Sequence, residues 1–408
     1  MTINLIHVSD IHFGSGESHG RVNPSTGLNV RFEDFARALR QAVDYTIDKG
    51  ADVFLFSGDA YKNASPEPVY QKTFASQLKR LSDAKIPVIL LPGNHDQILK
   101  SSGSHAMSVF ESLAVPGLVV IDQPRLLVLE TAAGPLQVIA IPHVTRHLLM
   151  THDKYAAMNS TDIDRVLVRL VGDMLADFYN DLDPTIPTVV TAHMMLDRAR
   201  AGAEEELMAG YTMTFPLELF INDRVDYVAL GHVHKFQILR EHKPSIAYVG
   251  SIERVDFSEE NEDKGFIHAE IERGKVALTF HSISPRRFLT LEADLCLAAD
   301  PTASLLEVLA KSSLSGAVVR LKYKLQQERL HEVDEEALRH AASAALSLRF
   351  KPEVVAADRP QRMPELDEHY AGSPALALEK YLAEVYPEHK DALMKRTREL
   401  MLKLEEQE

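Results

Sequence analysis

Five short apolar runs in this chain stop at an aspartate, an asparagine or a histidine, and that recurrence limits its fold more than any other feature. Residues 3–9 read as a strand and lead into Asp10-Ile11-His12. Val53-Phe54-Leu55-Phe56 leads into Ser57-Gly58-Asp59, and Ile86-Pro87-Val88-Ile89-Leu90-Leu91 leads through Pro92 into Gly93-Asn94-His95-Asp96. Thr188-Val189-Val190-Thr191-Ala192 ends at His193, and residues 225–230 end at Gly231-His232-Val233-His234. Short apolar runs bounded by Gly, Pro and polar residues are the pattern of buried strands. Between the first three, Phe32, Phe35, Ala36, Leu39, Ala42, Val43, Thr46 and Ile47 recur at helical spacing up to Gly50. Tyr70, Phe74, Leu78 and Leu81 give a second helix its apolar face. Alternating strands and helices predict an α/β architecture, whose sites lie at the C-terminal ends of the strands.

The next part is richer in strands, at 118–121, 126–129, 136–141, 246–249, 265–271 and 276–283, with a helix over 161–179. These close a main domain over residues 1–284. After Pro285 the pattern changes. A strand over 288–291, a helix from about Thr302, a strand over 317–325, a helix near 334–346 and a strand over 348–355 predict a small α+β domain, 285–357. Residues 358–374 hold three prolines and a Gly-Ser pair and read as a linker. Over 375–408, Ala375, Leu378, Leu382 and Val385 form one amphipathic stripe and Leu393, Leu400 and Leu404 another, with Pro387 between. Two short helices after a linker either dock on the body or lie in a partner's groove. The helix over 161–179 and the loop 194–214, with Glu204-Glu205-Glu206, either gate the strand ends or cover them.

Composition narrows the class. The 408 residues are 45% hydrophobic and 25% charged, as in a soluble globular protein, and no apolar stretch reaches transmembrane length. The N-terminus has no signal-peptide pattern, and one cysteine, Cys296, suits a reducing cytoplasm. Among Leu295, Leu297 and Ala298 it is expected as a small core residue. A net charge of −15 argues against nonspecific adhesion to nucleic acid or anionic membranes. Bound divalent cations can reverse that sign at one site.

Gly93-Asn94-His95-Asp96 alone is also an ordinary polar turn. Gathered with the other strand ends it joins a set of five histidines (His12, His95, His193, His232, His234), two aspartates (Asp10, Asp59) and an asparagine (Asn94). Imidazole, carboxylate and amide oxygen without thiolate suit manganese, iron or zinc rather than a structural zinc cage. The set exceeds what one ion needs, and two ions sharing a bridging carboxylate would use it fully. Such pairs lower the pKa of water and neutralise phosphoryl charge.

In order, Asp10-Ile11-His12, Gly58-Asp59, Gly93-Asn94-His95-Asp96, His193 and Gly231-His232-Val233-His234 resemble the five motifs of calcineurin-like metallophosphoesterases. Tyr248-Val249-Gly250-Ser251-Ile252-Glu253-Arg254-Val255-Asp256-Phe257, followed by Lys264-Gly265-Phe266, is similar to a stretch of the SbcD-type double-strand-break repair nucleases. The resemblance implies a β-sandwich flanked by helices, with a small α+β capping domain and a C-terminal helix-loop-helix. It implies that Asp10, His12, Asp59 and His234 hold one manganese, and that Asp59, Asn94, His193 and His232 hold the other, with Asp59 bridging. His95 would face the scissile phosphate, with Asp96 as its partner. The implied activity is exonuclease on DNA ends and endonuclease on hairpin or single-stranded DNA. The implied partners are DNA, a second copy of the chain, and an SbcC-like SMC-type ATPase bound by the C-terminal helices. Other readings of the same core are a phosphatase or cyclic-nucleotide phosphodiesterase, or an inactive scaffold for a repair ATPase.

Some relatives carry a histidine three residues after the bridging aspartate, where this chain has Lys62. The departure bears on the balance of exonuclease and endonuclease action. Lys62 is read either as a phosphate contact or as a solvated loop lysine. Arg320, Lys322 and Lys324 alternate with Val319, Leu321, Tyr323 and Leu325, so one strand face is basic, and it is read as a solvated face or as a DNA-backbone contact.

Overall fold

The computed structural model describes residues 2–97, 105–150, 155, 158–200, 213–355 and 374–405. The Glu204-Glu205-Glu206 segment, and the expected linker up to residue 373, lie outside the described residues.

Strand β1 (Ile3–Val8) leads through helix α1 (Val30–Lys49) to β2 (Val53–Phe56), then α2 (Pro68–Asp83), β3 (Val88–Leu90), the short α3 (Ser108–Ser112) and β4 (Leu118–Val120). A hairpin follows, β5 (Arg125–Thr131) and β6 (Gly134–Ile141), then α4 (His147–Met150), α5 (Ser160–Asp181) and β7 (Thr188–His193). Two two-residue strands, β8 (Met195–Leu196) and β9 (Thr214–Phe215), precede β10 (Tyr227–Gly231), β11 (Gln237–Arg240), β12 (Ser245–Tyr248), β13 (Lys264–Glu272) and β14 (Lys275–Ile283). The remaining elements are β15 (Phe288–Asp294), α6 (Pro301–Ala310), β16 (Val318–Gln326), α7 (Glu335–Ala341), β17 (Ser347–Val355), α8 (Pro374–Val385) and α9 (Lys390–Glu405).

Helix α1 shows how the sequence sets its own limits. The Asn29 side chain accepts the Arg31 amide at its start, and Gly50 takes a left-handed φ of 58° at its end.

The strands form two six-stranded sheets, in the orders β14-β13-β1-β2-β3-β4 and β11-β12-β10-β7-β6-β5. In the first, β1 to β4 are mutually parallel; in the second, β6, β7, β10 and β12 are. Period-two alternation assigns each residue to a layer. Leu5, Leu55 and Ile89 of the first sheet meet Val138, Val189, Tyr227 and Ala247 of the second between the sheets. Their neighbours Ile6, Phe54 and Phe56 face outward onto Phe35 and Leu39 of α1 and Phe74 and Leu78 of α2. Val190, Val228 and Ile246 face outward onto Val171 and Leu175 of α5. The result is a β-sandwich with helices on both outer faces.

Residues from Met1–Ala293, Ala303–Lys322 and Glu335–Lys351 form one compact unit; Asp294–Thr302, Tyr323–Asp334 and Pro352–Glu408 form a second. In the first, the buried Arg31–Asp34 pair binds a long-range partner, since Arg286 reaches Asp34 at 2.6 Å. In the second, Lys390 of α9 meets Glu379 of α8 at 3.0 Å, and Leu382 and Met394 are buried.

Two expectations from sequence change here. The helix expected near 334–346 ends at Ala341, because Ala344 gives its carbonyl to the Gly316 amide and the Leu346 amide goes to the Ala317 carbonyl. Cys296 is half-buried beside a fully exposed Leu297, so it is not a core residue.

Candidate metal centre

Because β1, β2 and β3 are parallel neighbours in one sheet, and β7 and β10 in the other, their C-terminal ends share one edge of the sandwich. The polar residues that follow these strands therefore converge. Doing so bends the backbone. Asp10, His12, Asp59 and His232 have φ values of 51°, 50°, 59° and 94°. A left-handed backbone costs a side-chain-bearing residue of order 1–3 kcal/mol and concentrates at functional sites. Two glycines make the close approach possible. A Cβ on Gly58 would collide with the His193 ring, and one on Gly93 with the Asp59 carboxylate.

The side chains fall into two groups around Asp59. Asp10, His12 and His234 bring ligand atoms within 4.8 Å of one another, as do Asp59, His193 and His232. Asp59 Oδ2 lies 3.2 Å from His193 Nε2 and 3.6 Å from His12 Nε2, between the two groups. His12 Nε2 and His234 Nε2 face each other at 3.0 Å. Asn94 Oδ1 lies 3.0 Å from His193 Nε2 and 3.1 Å from His232 Nδ1. Nitrogens facing nitrogens, with oxygens between them, are donor sets that fit cations: two hard-to-borderline divalent ions could share Asp59. The His12, Asp59 and His95 side chains also lie within 4.8 Å of one another, but His95 is the exposed member.

Electrostatics agree with a site built for positive charge. Burial opposes ionisation of Asp10 and Asp59, yet the histidines beside them outweigh it and hold both carboxyls below their ordinary range. Burial also opposes a charged His193, but Asp59 lifts it to about 9; for His234, Glu259 lifts it to about 10. Burial first, then the charges of His193 and His143, pushes His232 down to about 3. Cation binding at these imidazoles would release any protons they carry.

A family model for calcineurin-like phosphoesterases matches residues 3–236, the span that carries this whole cluster. The chain belongs to the calcineurin-like phosphoesterases. Among curated relatives, the SbcD component of nuclease SbcCD from Escherichia coli K12 is 24% identical over 65% of this phosphoesterase. The match spans 64% of that protein's length, just under two thirds. DNA double-strand break repair protein Mre11 of Archaeoglobus fulgidus is 25% identical over 83% of this chain and 73% of its own. The SbcD component of nuclease SbcCD from Bacillus subtilis is 23% identical over 67% of this chain and 68% of its own.

Within this phosphoesterase His95 stands apart from the other imidazoles. Its Nδ1 donates to the Lys62 carbonyl at 2.9 Å, and its ring meets His12 edge-on at a centroid distance of 4.9 Å. With Nδ1 engaged, Nε2 is the nitrogen left for a further partner on an exposed ring. Asp96 does not partner it. The Asp96 carboxylate accepts the amides of Asp59, Ala60, Tyr61 and Gly93 at 2.9–3.2 Å, so it shapes the loop carrying Asp59. Burial and the charge of Asp59 push its carboxyl up to about 7 while those amides pull it down. Lys62 meets the His95 ring through its backbone carbonyl, and its side chain is exposed.

The basic strand face turns to other partners. Arg320 lies over the Phe257 ring at 4.4 Å and donates to Thr290 Oγ1 at 2.9 Å, and Lys322 meets Glu292 at 3.2 Å. Lys324 is exposed. Neither Arg320 nor Lys322 lines the cleft of about 480 Å³ that opens beside Asn94, His95 and His232.

Three residues near the cluster escaped the sequence reading of its chemistry. His143 Nδ1 donates to the His193 carbonyl at 3.2 Å, and its ring lies 5.8 Å from that of His232. Its signal was present, since Ile141-Pro142-His143 ends β6 as the other motifs end their strands. Glu259 and Lys264, behind His234, follow no strand end of the metal edge and gave no such signal.

Proposed function

We propose that this chain is a manganese-dependent DNA nuclease that cuts phosphodiesters at duplex ends and in hairpin or single-stranded DNA. The observation that carries the reading is the pair of ligand groups with Asp59 Oδ2 near both His12 and His193, and with His95 exposed beside them. The names of the relatives, nuclease subunits and a break-repair protein, support DNA as substrate. Asp10, His12, Asp59 and His234 would hold one cation and Asp59, Asn94, His193 and His232 the other. Bound there, two cations neutralise phosphoryl charge and lower the pKa of water. The protein's own part is to position. Asp96 fixes the Asp59 loop and the Lys62 carbonyl orients the His95 ring through Nδ1, so that Nε2, when it carries a proton in the imidazolium form, would face the phosphate to stabilise charge or protonate the leaving oxygen. Cations held there would offset the chain's net negative charge locally.

We further assign residues 285–357 to a capping domain, and the pair α8 and α9 to docking an SMC-type ATPase, with the chain acting as a homodimer. The relatives named as components of the SbcCD nuclease support a complex. Among the described residues no helix is long and apolar enough to cross a membrane.

The test incubates the chain and Mn²⁺ with labelled linear duplex, a DNA hairpin and a small nitrophenyl phosphodiester. Cleavage of the DNAs is expected. Turnover of the small ester with none of any DNA would replace this reading with a small-substrate phosphodiesterase. A truncation ending near Asp358 is expected to keep hydrolysis and lose the ATPase in co-purification.

A further inference from the structure

The two ligand groups are held from behind by different means. His193 turns its Nδ1 away from Asp59 to donate to a neutral acceptor, the Ser57 carbonyl, at 2.7 Å. His234 turns its Nδ1 to a carboxylate, Glu259 Oε1, at 2.7 Å, which leaves Nε2 facing His12. Glu259 is buried, and its second oxygen accepts the Val255 amide at 2.8 Å and Lys264 Nζ at 3.0 Å. Lys264 is itself buried. Its ammonium also donates to the His234 carbonyl at 3.0 Å, to Ser251 Oγ at 2.8 Å and to Glu262 at 2.8 Å. One buried cation therefore grips both the carboxylate behind the His234 ring and the backbone of His234.

A buried ion pair adds little stability over packed apolar side chains, because desolvation consumes most of the Coulombic gain. Its place behind a ligand imidazole supplies a different reason for it. A carboxylate on the far nitrogen fixes the ring's tautomer and direction and makes the near nitrogen a better donor. We propose that Glu259, anchored by Lys264, is a positioning residue for the cation held by Asp10, His12, Asp59 and His234, and not for the one held by Asn94, His193 and His232. This rests on the reading that the strand ends hold two cations.

The test titrates Mn²⁺ into the metal-free full-length chain, following heat by calorimetry and free ion by electron paramagnetic resonance. The wild type should take up two ions. Glu259→Ala should weaken one ion by about 10- to 100-fold and leave the other unchanged. Glu259→Gln keeps an acceptor but no charge, and should give a smaller loss at the same position. Thermal melting without metal establishes that each variant is folded. If Glu259→Ala does not fold, Glu259→Gln carries the same test of selectivity. Unchanged affinity for both ions, or equal weakening of both, would overturn the proposal. A wild type that binds no ion would instead remove the two-cation reading on which it stands.

Discussion

Two parts of this chain set polar side chains at regular places on strands, and tertiary structure treats them in opposite ways. At the ends of β1, β2, β3, β7 and β10, residues from separate stretches of sequence are brought onto one edge, where nitrogens face nitrogens around Asp59. Along β16, Arg320 and Lys322 lie only two residues apart yet turn to local partners, Phe257 with Thr290 and Glu292. Parallel topology accumulates the first set; the second stays spread along its strand. A polar pattern becomes a site when several elements must end at one place, and a face of one strand remains a surface.

That contrast can be broken at its strongest point first. Asp59→Ala removes the carboxylate between both groups, so cation stoichiometry measured by elemental analysis should fall and Mn²⁺-dependent DNA cleavage should drop by about 10³-fold or more. His95→Gln should keep two cations per chain and lose about 10²- to 10⁴-fold in single-turnover cleavage. Loss of a cation in that variant would make His95 a ligand.

A third substitution separates functional charge from structural charge. Asp34 is buried among Arg31, Arg37 and Arg286 and belongs to neither ligand group. Burial opposes its ionisation, but the hydrogen bond from Arg286 and the charge of Arg31 outweigh it and hold its carboxyl below the ordinary range. Its folded pKa lies below the unfolded one, so its contribution is complete above the unfolded value and is lost as pH falls toward the folded value. Asp34→Ala should cost about 3–5 kcal/mol in denaturant unfolding at neutral pH, with the gap to wild type closing in acid. The smallest effect is expected on β16. Lys324→Ala should change DNA affinity by less than about twofold and leave its salt slope nearly unaltered, against a loss of about one unit for a true phosphate contact.

Much of the fold was legible because burial follows period. Val53–Phe56 and Thr188–His193 are fully buried runs, as strands covered on both faces must be. The strand β11 was not legible, since Gln237–Arg240 has only Ile238 and Leu239 between polar ends, is nowhere fully buried, and owes its pairing to β12. The shortened α7 was equally hidden, because its alanines suit a helix and only the 316–317 backbone claims the carbonyl of Ala344 and the amide of Leu346. At the site, residue types were readable and their partners were not. Asp96 sits beside His95 in sequence yet serves amides 35–37 residues away.

The sequence alone determined the donor set: which strands end in carboxylate, imidazole or amide, and that no thiolate is among them. Tertiary structure decided which nitrogen of each imidazole faces the centre, what holds that ring from behind, and that Arg320 and Lys322 of β16 are taken up by Thr290 and Glu292. The division has a physical cause. A side chain's chemistry travels with its residue, but its tautomer, charge and direction are set by whatever packs against it, as Glu259 and Lys264 do for His234.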